Sequence, residues 1–199
     1  MSRFRVLAFT DVGLRRKRNE DAVLVAGWVC QTLDGALVAM DFEPTVPFVC
    51  VVADGMGGHA GGGTASRIAV ETIDRELRQV RTSQGSVLEA TTPLQDSPVP
   101  EAIRAAVERA CIAIYSKAQE DPRLAGMGTT VISLLMKGEQ AFFAHVGDSR
   151  AYLIRGDLIQ QISEDHSLVN EQIKAGMITP EEAKHSRYKN IIKIGRAHV

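Results

Sequence analysis

Residues 51–66 read VVADGMGGHAGGGTAS, a glycine-rich run that holds one carboxylate, Asp54, and one imidazole, His59. Three chemistries compete for it. A phosphate-binding P-loop would span Gly57–Thr64, with a strand before it and a helix after it. Gly63, however, occupies the place of the lysine whose charge reaches the terminal phosphates. A dinucleotide fingerprint would run through Gly55-Met56-Gly57-Gly58-His59-Ala60, with Asp74 or Glu76 as the ribose partner. Against it, Asp54 immediately precedes the first glycine, and an ionised carboxylate repels a pyrophosphate unless a cation intervenes. The third chemistry supplies that cation. A carboxylate at the end of an apolar strand, followed by a glycine whose carbonyl turns freely, offers two hard oxygen donors of the kind Mg2+ or Mn2+ takes. His59 stands close enough in the chain to exchange protons there. The bland alternative is a flexible glycine turn with Asp54 capping the next helix.

Two further charge clusters bear on the choice. Between Asp11 and Asp21 the chain packs Arg15, Arg16, Lys17 and Arg18 beside Glu20 and Asp21. Such a run is commonly a solvated loop whose charges merely pair. A phosphoryl site nevertheless needs this mixture, carboxylates for metal ions and a guanidinium fork for phosphate oxygens. The second cluster is Gly147-Asp148-Ser149-Arg150, in which Asp148 is either a turn residue or a metal carboxylate.

The elements that must position these residues are short strands and a few helices. β-rich runs are expected over Phe4–Thr10, Ala22–Ala26, Gly35–Met40, Phe48–Ala53, Thr130–Met136, Gln140–Val146, Arg150–Arg155 and Leu158–Ile162. Turns at Asp34-Gly35, Lys137-Gly138-Glu139 and Arg155-Gly156-Asp157 mark hairpins, hence antiparallel pairing. Apolar spacing of 3.6 residues predicts amphipathic helices over Ala65–Leu77 and Ile103–Ala118, with the polar stretch Arg81–Val99 a surface loop between them. Ser167–Ala175 is expected as a short helix stopped by Gly176. Thr179-Pro180-Glu181-Glu182 reads as a capping box that starts another. The pattern is that of an α+β or layered fold.

Composition narrows the class. The 199 residues suit one domain with a real core, and 23 Lys+Arg against 24 Asp+Glu leave a net charge of -1. Nothing global points to nucleic acid or an anionic membrane. Cys30, Cys50 and Cys111 lie far apart without zinc-ligand spacing and read as reduced thiols of a cytoplasmic protein. No apolar run approaches the ~20 residues of a membrane span, and no signal peptide is evident.

Together the motifs resemble the bacterial branch of the PP2C-type (PPM) metal-dependent protein serine/threonine phosphatases. The likeness runs through Asp11-Val12-Gly13 with Arg16 and Asn19-Glu20-Asp21, then Ala53 to Gly61, then Gly126-Met127-Gly128-Thr129-Thr130. It continues through His145 to Arg150, Asp165 to Val169 and Ile178 to Ala183, in order, over almost the whole chain. The resemblance implies an α+β layered (α-β-β-α) sandwich, two antiparallel sheets flanked by helices. It also implies hydrolysis of phosphoserine and phosphothreonine in proteins by a water activated between two metal ions, Mn2+ or Mg2+, with two or three ions in a complete protein.

By the same likeness Asp54 bridges both ions, while Glu20 and the Gly55 carbonyl complete one coordination shell and Asp21 holds a water of that shell. Arg16 binds the phosphate, His59 is the general acid, and Asp148 contributes to a third metal site. Ser163–Asn190 would be a mobile flap. The implied partners are phosphorylated proteins, opposite a Ser/Thr kinase, and the protein is expected to be monomeric, without nucleic acid or a membrane segment. His145 is expected in the core, His166-Ser167 at a helix start, Gly126–Thr130 as a tight strand entry, and Trp28 in a packing role.

The likeness ends near Ile192. Two further metal-binding aspartates of the family, in an Asp-Gly and an Asp-Asn, have no counterpart after Asn190. Residues 1–193 are therefore expected to form a phosphatase domain with its C-terminal part missing, and residues 194–199 a non-native tail. Such a chain is expected to bind metal weakly and to hydrolyse phosphoesters poorly. The alternative is a non-catalytic phosphatase-like module that binds phosphoproteins or regulates a kinase. The joint presence of Arg16, Glu20, Asp54 and His59 favours the enzyme, and nucleotide binding comes third.

Overall fold

The computed structural model describes residues 3–25, 28–30, 37–43, 47–57, 61–83, 98–188 and 191–192. His59, the turn expected at Asp34-Gly35, the side chain of Trp28 and the tail 194–199 lie outside the described residues. In chain order the strands are β1 (Phe4–Ala8), β2 (Asp21–Val25), β3 (Trp28–Cys30), β4 (Val38–Phe42), β5 (Phe48–Met56), β6 (Gly128–Thr129), β7 (Val131–Lys137), β8 (Gln140–Val146), β9 (Tyr152–Arg155) and β10 (Leu158–Gln161). The helices are α1 (Gly61–Ser83), α2 (Val99–Glu120), α3 (Leu168–Lys174) and α4 (Pro180–His185).

The main sheet runs β3-β2-β5-β7-β8, with β6 beside the end of β5. Every described pairing is antiparallel, which removes the parallel βαβ unit that a dinucleotide fingerprint requires. The side-chain period of two explains how the sheet is used. Ala22 and Leu24 of β2, Val49, Val51 and Ala53 of β5, and Val131 and Leu135 of β7 join Ala69, Val70, Ile73 and Leu77 of α1 and Ile103, Ala106, Val107 and Ala110 of α2 in one core. Val23 and Val25 face the other way and pack with Val6, Ala8, Val38, Met40 and Phe42 of the two-stranded β1–β4 sheet. Phe48 pins that second layer, its ring stacked 4.3 Å from Phe42 and tilted 5.8 Å from Phe4. The result is an α+β sandwich of antiparallel sheets with the α1–α2 pair on one face.

Local chemistry sets most boundaries. The β7–β8 and β9–β10 hairpins turn at Gly138 and Gly156, both at positive φ. Ser167 caps α3 by accepting the Asn170 N–H, and Thr179 with Glu182 forms the expected capping box under Pro180. Three expectations move. Residues Arg81 to Ser83, expected in a loop, continue α1, and the loop expectation also gives way at Val99, where α2 starts. The stretch before Ser83 is rich in good helix formers, and Asp74–Arg78 and Glu76–Arg109 ion pairs hold α1 to itself and to α2. β5 runs on to Met56, so Asp54 lies within the strand. Arg150 belongs to the turn before β9, where Asp165 holds it. β3 and β6 are too short to leave a periodic signal.

Ile73 is fully buried between α1 and the sheet. Ile73→Ala is expected to destabilise the fold by about 3 kcal/mol, read as a lowered urea midpoint with an unchanged slope.

Candidate metal and phosphate site

At one end of the main sheet, Asp21 opens β2 and stands in register with Asp54 of β5. Two carboxylates are thereby fixed side by side by backbone pairing whose apolar neighbours, Ala22 and Ala53, are fully buried. The consequence is electrostatic. Burial, then the charge of Asp54 and a hydrogen bond with it, push the Asp21 carboxyl up to about 6, against a smaller downward pull from Thr10; Glu20 adds to the rise.

Glu20 is placed by close backbone approach. A Cβ on Gly62 would lie 2.9 Å from the Glu20 carboxylate and 2.9 Å from the Gly55 carbonyl carbon; one on Gly55 would lie 2.2 Å from the Gly62 oxygen and 2.6 Å from the Glu20 carbonyl oxygen. The start of α1, the end of β5 and the entry to β2 therefore meet at a distance only glycine permits. Ser66 of α1 locks the contact by donating to the Glu20 carbonyl at 2.6 Å. On the other side, Asn19 accepts the Asp21 N–H at 3.0 Å and donates to Thr10 at 2.7 Å. Arg16 lies 3.6 Å from Glu20 with its side chain 78% exposed, so its guanidinium remains open to a ligand.

Asp148 sits in the turn after β8. Its carboxyl is raised first by burial and then by the charges of Asp165 and Asp54, with Arg150 and a backbone donor pulling it down. That turn is fastened to the segment before α3. Arg150 clasps Asp165 with bonds of 2.6–3.1 Å, His166 donates its N–H to the Gly147 carbonyl, and the His145 ring lies 4.4 Å from that of His166. His145 is buried, as its apolar strand predicts.

The structure thus brings Glu20, Asp21, Asp54 and the Gly55 peptide together, with Arg16 at the rim. Among the described residues no three His, Cys, Asp or Glu side chains converge to hold a metal by themselves. Glu20, Asp54 and the Gly55 carbonyl fit one face of a hard-cation site, since all are oxygen donors. Sequence reasoning passed over Ser66, Gly62, Thr10 and Thr130. Their partners lie 7 to 76 residues away, and a lone hydroxyl or glycine carries no periodicity that reveals one.

The layered antiparallel fold with this acidic sheet end defines the class. A profile of the protein phosphatase 2C family matches residues 24–192, and the chain belongs to that family. It is 36% identical over 183 residues to the serine/threonine phosphatase stp of Listeria innocua and 39% identical over 183 residues to the protein phosphatase PhpP of Streptococcus pneumoniae. Each alignment covers 92% of this chain and 63% of the relative, so the chain spans under two thirds of the length of these curated relatives. The serine/threonine phosphatase of S. agalactiae has a similar structure, with a TM-score of 0.74 and 29% identity over 98% of this chain and 75% of that one. The catalytic domain of the phosphatase PstP, crystallised with two manganese ions, aligns with a TM-score of 0.63 and 31% identity over 91% of this chain and 64% of that one.

The raised Asp21 carboxyl has a stability consequence. A folded-state value of about 6 above the ordinary 3.8 means that Asp21 contributes stability below the unfolded value and loses it as the pH rises through about 6. In the metal-free protein Asp21→Asn is expected to raise Tm by about 2 °C near pH 8, with little gain near pH 4. Thermal melts in chelator across that window check it.

Proposed function

We propose that this chain carries the site of a metal-dependent phosphatase acting on phosphoserine and phosphothreonine in proteins. The observation that carries the reading is the register pair Asp21–Asp54 with Glu20 and the Gly55 carbonyl crowded against it. Asp54, Glu20 and the Gly55 carbonyl would hold Mn2+ or Mg2+, and Asp148 would serve a further ion. When bound, divalent ions supply the charge that lowers the pKa of a nearby water and stabilises the phosphoryl oxygens during in-line displacement. Asp21, in register beside Asp54, would orient that water by accepting its hydrogen bond. The Arg16 fork takes two phosphate oxygens. His59, three residues beyond β5 and outside the described residues, would protonate the departing seryl or threonyl oxygen.

The family relatives named as serine/threonine phosphatases support this substrate class, and a Ser/Thr kinase as the opposing activity follows from the same chemistry. No described helix is long and apolar enough to cross a membrane. A second reading, a phosphoprotein-binding module without turnover, draws on one observation: the described residues offer no three-carboxylate cluster. With Glu20, Asp54 and the Gly55 carbonyl as the donors gathered at this point among the described residues, the chain is expected to bind metal weakly and to turn over slowly.

Calorimetric titration with Mn2+ and separately with ATP, together with hydrolysis of p-nitrophenyl phosphate, separates the readings. Weak Mn2+ binding that Asp54→Asn abolishes, with slow Mn2+-dependent hydrolysis lost in the same variant, is the expected result. Phosphopeptide binding without Mn2+ binding would replace the enzyme with the module, and ATP binding alone would favour a nucleotide site.

A further inference from the structure

We infer that Thr130 is a positioning residue for Asp54 and couples the Asp54–Gly55 end of β5 to the Asp148–Ser149 turn; the inference rests on the phosphatase reading for its metal arm. The β5 register that pairs Val52 with Ile132 resumes unshifted where Gly55 pairs with Thr129. Thr130 therefore stands opposite Asp54. A regular antiparallel pair at this point would exchange two backbone hydrogen bonds. One is present: the Thr130 N–H donates to the Asp54 carbonyl at 2.9 Å. In place of the other, the Asp54 N–H is bonded to the Thr130 side-chain oxygen at 3.1 Å, and the Thr129 hydroxyl reaches the Asp54 carbonyl at 2.9 Å and the Thr130 carbonyl at 2.9 Å. Two hydroxyls thus grip the peptides on either side of Asp54. The break between β6 and β7 falls at this grip.

The same Thr130 hydroxyl lies 2.6 Å from the Ser149 hydroxyl. Its methyl faces Gly147, where an added Cβ would come within 2.7 Å of it and where φ is +106°. The turn bearing Asp148 is therefore wrapped on the side chain that holds Asp54. Thr130 is 1% exposed, so neither contact can be exchanged for bulk water. A shift of the Asp148 turn must move the Thr130 hydroxyl, and with it the Asp54 N–H. No ionisation is involved.

The test compares Thr130→Val, Thr130→Ser, Ser149→Ala and the Thr130→Val/Ser149→Ala double variant in the full chain. Mn2+ affinity is read by electron paramagnetic resonance of the free ion, and Asp54 amide exchange is read without metal. Thr130→Val is expected to weaken Mn2+ binding by about 10-fold, the lower range for losing a partner that orients a ligand, and Thr130→Ser to restore it to within about 2-fold. Ser149→Ala alone should fall between, and the double variant should be no weaker than Thr130→Val. Wild-type affinity in Thr130→Val, failure of the serine to rescue, or additive losses would overturn the inference. Should the wild-type chain take up no Mn2+, the phosphatase reading fails by itself and the metal-free arm decides. Should Thr130→Val fail to fold, Ser149→Ala decides in the same way: faster Asp54 amide exchange supports the coupling, and unchanged exchange rejects it.

Discussion

Two carboxylates held side by side against their mutual repulsion organise this protein. Asp21 and Asp54 are neighbours because β2 and β5 pair in one register, and that register is enforced by the apolar residues behind them. A slip by one residue would turn Ala22, Leu24, Val51 and Ala53 out of the core and exchange their places with the other face. The free energy that keeps the acids together is thus hydrophobic and comes from the buried residues that follow Asp21 along β2 and precede Asp54 along β5. Burial first, and then the charge of Asp54, push the Asp21 carboxyl up against that arrangement.

Around that pair the chain has exchanged side chains for proximity. Gly55 and Gly62 let β5, α1 and the β2 entry approach until there is no space for a methyl group. Gly147 does the same against Thr130. Within the glycine-rich run, Gly55 and Gly62 therefore work as a close-packed joint. Residues 61–63 of the run form the first turn of α1, which sets Ser66 over the Glu20 carbonyl. Hydroxyls complete the joint, with Thr10, Thr129, Thr130, Ser66 and Ser149 all bonded around the acids or their neighbouring peptides. Rigid placement of ligands by such partners is what a metal site needs before any ion arrives.

Much of this was legible in the chain. The strands of the hairpins, the two amphipathic helices and both caps follow from local rules, because period, turn glycine and capping hydroxyl act within a few residues. Asp54, Glu20, Arg16 and Asp148 were recognisable as chemistry-bearing groups from charge and glycine context. What escaped were β3 and β6, too short for a period; the extension of α1 through Ser83; and the role of Thr130. The role of Thr130 depends on a partner in another element, Asp54 of β5.

The sequence by itself determined antiparallel hairpin pairing, the inventory of oxygen donors and the exclusion of a lysine-based phosphate loop, since each rests on residue type and spacing along the chain. Only the tertiary structure decided that Asp21 faces Asp54, that Gly62 seats Glu20 beside Gly55, and that Thr130 replaces a ladder bond at the acid pair. Those facts arise where strands distant in sequence come into register, and register is set by the burial of a whole face rather than by any single motif.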